Sequence, residues 1–101
     1  MNPYHSIASF FSGCFLANVV PHFVHGISGD PFPTPFAKPP GKGLSSPTVN
    51  ILWALANIVV GYILFRVGEV ATEGDPTLAI FSGIATIGIL SSINFSKKHT
   101  R

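Results

Sequence analysis

With 101 residues, 10% of them charged against 47% hydrophobic, and a mean hydropathy of +0.46, the chain has room for one domain and too few charges to cover a small water-soluble globule. Its formal charge of +2 rests on six lysines and arginines, three of them in the last five residues, so it has no broad basic face and nucleic acid is not expected as a partner. Lipid is the expected solvent.

Three segments open with the same punctuation: Asn2-Pro3, Ser46-Pro47 and Asp75-Pro76. A short polar side chain accepts a bond from an orphan N–H at a helix start, and proline at the next position has no N–H to leave unpaired. Each pair precedes a mainly apolar run of about the ~20 residues that cross a bilayer as helix. The pattern predicts an all-α, small integral membrane protein with three transmembrane helices over about 3–27, 47–68 and 76–96, a proline-rich loop at 28–45 and a basic tail at 96–101.

The N-terminal stretch MNPYHSIASFF lacks a basic leader and a small-residue cleavage pattern, so it is read as part of the first helix rather than a signal peptide. That helix is interrupted by Ser6, Ser9, Ser12, Asn18, His22 and His25, a polar load that lipid on all sides would penalise, so it should pack against protein. Ser9, Gly13 and Ala17 recur every four residues as a ridge for close helix approach. Pro21 is expected to kink the helix or end it early. Cys14 has no cysteine to pair with and is read as a small buried residue rather than a reactive thiol.

Cys14, Asn18, His22 and His25 share one face if the helix continues through Pro21. His22 and His25 are then the candidate metal or haem ligands, although a zinc site needs further ligands from elsewhere. The plainer reading places both rings where amphipathic side chains meet head groups and water. No resident cofactor is otherwise expected.

Between the first two helices, SGDPFPTPFAKPPGKGLS carries five prolines and three glycines, which exclude helix and leave extended chain broken by turns. Phe32 and Phe36 are expected to anchor it to the bilayer interface or the bundle end. No Pro-x-x-Pro step occurs, which argues against a proline-rich docking motif.

In the second helix Asn50, Ala54, Asn57 and Gly61 form a packing seam, with Leu52, Leu55, Val59 and Ile63 opposite. In the third, Ala79, Ser82, Gly83 and Thr86 form a small, hydroxyl-bearing face, with Ile80, Ile84 and Ile87 elsewhere. Arg66 can snorkel to water at its helix end.

Glu69, Glu73 and Asp75 read as a solvated loop. No Ser-His-Asp spacing, phosphate-binding glycine loop or paired metal motif occurs, so no enzymatic activity is expected. With three spans, Lys38, Lys42, Lys97, Lys98 and Arg101 share one side with Asp30 as its one acid, and Glu69, Glu73 and Asp75 share the other with Arg66. This predicts the N-terminus outside and the C-terminus and proline-rich loop in the cytoplasm, in a bacterial inner membrane.

The leading functional expectation is a non-enzymatic accessory or structural subunit, assembling with other membrane proteins or with itself. The alternatives are a small oligomeric channel or carrier lined by Asn18, Asn50, Asn57 and Thr86, and a metal- or haem-binding subunit.

Overall fold

A computed structural model describes residues 3–70 and 74–96, with the side chains of 74–76 also left aside. The Asn2 cap, Glu73, the side chain of Asp75 and the basic residues Lys97, Lys98 and Arg101 lie outside the described set. Three helices follow in order: α1 (Pro3–Ile27), α2 (Pro47–Val67) and α3 (Gly74–Ser96). Each contains a window long and apolar enough to cross a membrane by length and composition.

The start of α2 follows the cap logic directly. The Ser46 side chain accepts a bond from the Val49 N–H at 3.1 Å, and Pro47 takes the first helical position. Helix α3 begins at Gly74, two residues before the expected Pro76. Proline is tolerated throughout a first turn, because those N–H groups have no partner within the helix.

Pro21 does not end α1, which runs on for six residues to Ile27. Those last turns are held from outside: His22 bonds α2, and the Asp30 N–H bonds the His25 carbonyl at 2.9 Å. Gly29, at φ +76°, supplies the left-handed turn that leads the chain away. At the end of α2, Glu69 adopts φ +51°, and its Oε2 lies 2.6 Å from Nε2 of His5.

Helix α1 lies between the other two. Among the described residues, no Cα of α2 comes within 8 Å of one in α3, whereas α1 packs on both. Contacts to α2 run antiparallel, from Ser9 at Gly68 to His22 at Asn50. Those to α3 run parallel, with Gly13 against Ile80 and Ile84 and Gly83 against Phe10 and Cys14. The most polar helix thus takes the position with two protein neighbours, which supplies partners for side chains that an apolar surround would leave unbonded.

The expected Ser9, Gly13, Ala17 ridge is divided between those neighbours. Ser9 and Ser12 face α2, while Gly13 faces α3, where an added Cβ would meet the Ile80 carbonyl oxygen. Ala17 is half-buried and borders α3 near Ile84 and Gly88.

On α3 the contact stripe differs from the expected one. Gly83 is buried and Ala79 half-buried, but Ser82 and Thr86 are exposed. Their hydroxyls donate to carbonyls of their own helix, Ser82 to Leu78 at 2.9 Å and Thr86 to Ser82 at 2.7 Å. Bonded this way, they place no polar demand on packing. Shape then decides, and Gly83 admits the α1 backbone while Ile80 and Ile87, both half-buried, flank it.

The segment 28–46 folds back onto the end of the bundle. Phe32 pairs with Ser45 in an isolated antiparallel bridge, with N···O distances of 3.2 and 3.0 Å. Thr34 and Ser45 bond through their hydroxyls beneath it.

Candidate functional site

The polar side chains that α1 and α2 bring together form a ladder along their seam. Ser12 Oγ donates to the Gly61 carbonyl at 2.7 Å, Asn18 Nδ2 donates to Asn57 Oδ1 at 3.2 Å, and Asn57 Nδ2 donates to the Trp53 carbonyl at 2.7 Å. Ala54 and Gly61, also buried, let the helices close between these rungs. Leu52, Leu55, Val59 and Ile63 are exposed on the opposite side of α2.

At the loop end, Asn50 is completely enclosed. Its Nδ2 donates toward the carbonyl oxygens of Phe32 at 3.0 Å, Ser45 at 3.3 Å and Ser46 at 3.1 Å. Three acceptors around one atom fix the orientation of the carboxamide, because only the nitrogen can donate. The Oδ1 must then accept, so the contact of 2.7 Å to His22 places the imidazole proton on Nδ1. In the neutral ring Nε2 is therefore a hydrogen-bond acceptor.

Phe32 completes this end. Its side chain is 3% exposed and stacks on His25, with centroids 4.2 Å apart. It also meets His22 edge-on at 5.4 Å and Phe95 of α3 at 4.7 Å. Phe36, 64% exposed, touches the bundle only through the edge of Trp53, at 5.1 Å. The two phenylalanines thus occupy different positions: one is a plug and the other lies on the surface.

His22 and His25 share one neighbour, the Phe32 ring, and His22 Nδ1 is engaged by Asn50. Among the described residues no group of three or more His, Cys, Asp or Glu side chains is placed to hold a metal ion. Asn50 is enclosed at the loop end, Asn57 is buried in the α1/α2 seam with an edge at the gap between α2 and α3, and Thr86 is exposed on α3.

Because α2 and α3 stand apart, a furrow runs between them with α1 as its floor. Near the loop it holds a cavity of about 160 Å³ bordered by residues that include Asn18, His22, Thr34, Trp53 and Asn94. Beyond it lies a cavity of about 360 Å³, bordered chiefly by Phe11, Cys14, Phe15, Asn57 and Ile87. Asn18 and Trp53 border both, so the cavities adjoin across that pair. The face that carries Cys14, Asn18 and His22 is visible in the sequence. The contributions of Trp53, Asn94 and Thr34 depend on α2, α3 and the loop arriving together, and no spacing announces them.

Compared with known protein families, curated proteins and solved structures, the chain matches none of them.

Proposed function

We propose that this chain is a non-enzymatic subunit of a membrane assembly, spanning the bilayer three times and meeting its partners through the outer faces of α2 and α3. The observation that carries the reading is the inversion of polarity. The seam polar groups bond one another inside, while Leu52, Leu55, Val59, Ile63, Ile89 and Ile93 are exposed. A surface so apolar suits lipid and other apolar helices.

Orientation belongs to the same proposal. The exposed Lys38 and Lys42 lie at the loop end, where Asp30 is the one acid among the described residues. By the positive-inside tendency this end faces the cytoplasm, and a bacterial inner membrane is the expected setting.

Gly13 and Gly83 are packed within the chain, so substituting them tests the fold rather than assembly. The suitable changes are Val59→Gln on α2 and Ile89→Gln on α3. After purification in mild detergent, at least one should release a co-migrating protein or a second copy while helix content stays constant. If the chain runs as a lone monomer and both variants migrate like the parent, the subunit reading fails. If it stays monodisperse without surfactant, the membrane reading fails as well.

A further inference from the structure

We propose that the furrow between α2 and α3 is a binding site for a single-chain amphiphile with an uncharged, hydroxyl-bearing head. The two adjoining cavities differ in kind. The one at the loop end is edged by residues that include His22, Asn18, Asn94 and Thr34, with no lysine or arginine among the described residues that line it. The one deeper along α1 is edged mainly by Phe11, Phe15, Cys14 and Ile87. A chamber that carries several polar groups among apolar ones, opening onto a more uniformly apolar one, has the shape of a small head followed by a hydrocarbon chain. Together their volumes fall within the roughly 300 to 1,000 Å³ usual for small-molecule sites.

The head chemistry follows from hydrogen-bonding roles. His22 is 3% exposed, and Asn50 Oδ1 accepts a bond from its Nδ1–H, leaving Nε2 as an acceptor that calls for a donor. Asn94, bordering the same chamber, carries a carboxamide that makes no hydrogen bond to the described residues, so it can donate to an oxygen. The indole N–H of Trp53, whose side chain borders both chambers, is enclosed and has no acceptor. A hydroxyl both donates and accepts, which answers this set. A phosphate or carboxylate offers only acceptors and would find no cation among the described lining residues. A partner helix, about 10 Å across, would rest on the rims formed by α2 and α3, whereas an alkyl chain can reach the floor at Cys14.

The site presupposes the membrane location proposed above, and the two ideas fail separately. Solubility without surfactant tests the location, and binding in micelles tests the site. The probes are monooleoylglycerol and oleyl alcohol, with methyl oleate and oleate as the donor-free and anionic comparisons. Native mass spectrometry of the full chain released from micelles should show one molecule of at least one hydroxylated probe bound. Methyl oleate should bind roughly tenfold more weakly, the value of one hydrogen bond.

Cys14→Phe, which fills the apolar chamber, should lower occupancy by at least about tenfold, while Leu55→Phe on the outer face should not. In the unaltered protein, the bound probe should slow N-ethylmaleimide labelling of Cys14, the only cysteine. The proposal is overturned if no hydroxylated probe binds, if oleate or methyl oleate binds as well, or if labelling is indifferent to a bound probe. It is also overturned if a second copy of the chain, rather than a probe, protects Cys14.

Discussion

His22 Nδ1 lies 2.7 Å from Asn50 Oδ1, and through that contact the penultimate turn of α1, the first turn of α2 and the returning loop are tied at one point. The Nδ2 of Asn50 donates toward three backbone carbonyls that already accept backbone N–H bonds, and so adds a second tie at each. One carboxamide therefore closes the end of the bundle.

Replacing Asn50 with leucine orphans the His22 donor, while the carbonyls of Phe32, Ser45 and Ser46 keep their backbone N–H donors. An orphaned buried polar group costs about 1 to 3 kcal/mol, so Asn50→Leu should lose about 1 to 3 kcal/mol in reversible unfolding from mixed micelles. Limited proteolysis should cut 28–46 faster in the variant. A loss under about 1 kcal/mol would show that this carboxamide does not close the bundle.

The approach of α1 to α3 depends on a glycine at position 83, where an added Cβ would meet the Phe10 carbonyl oxygen. Gly83→Val should cost at least about 2 kcal/mol, since relief requires moving backbone. Gly88, five residues along the same helix, has open space around it. Gly88→Ala should be neutral or stabilise by up to about 1 kcal/mol through helix propensity. Thermal unfolding of both variants, followed by circular dichroism in one detergent, makes the comparison.

Phe32 and Phe36 should separate in the same way. Phe32→Ala opens a hole between His25, His22 and Phe95 and should cost about 3 to 5 kcal/mol. Phe36→Ala should cost under about 1 kcal/mol, as expected for a largely exposed ring. It should nevertheless shift the emission of Trp53, the only tryptophan, because the two rings lie 5.1 Å apart. Equal destabilisation by the two changes would refute the distinction between plug and surface ring.

The cap at α2 is a smaller, local term. Ser46→Ala should destabilise by about 1 kcal/mol and Ser46→Asp by much less, because aspartate retains the acceptor for the Val49 N–H. Both are read from the same unfolding curves, and an alanine variant as stable as the parent would remove the cap's contribution.

The sequence alone determined the helical framework, because helix starts and apolar run lengths are local properties. Ser46 and Pro47 fix a helix start wherever the chain finds itself, and a seam such as Asn50, Ala54, Asn57 and Gly61 follows from helical periodicity. The polar load of α1 likewise required protein neighbours before any were known.

Tertiary structure alone decided which neighbour each residue met. It divided Ser9 and Gly13 between α2 and α3, turned Thr86 outward, carried α1 past Pro21 and assembled the furrow from four separate segments. Periodicity says which residues share a face, but the partner of that face depends on shape and hydrogen-bond satisfaction over separations of tens of residues, as with His22 and Asn50, and no local pattern records those.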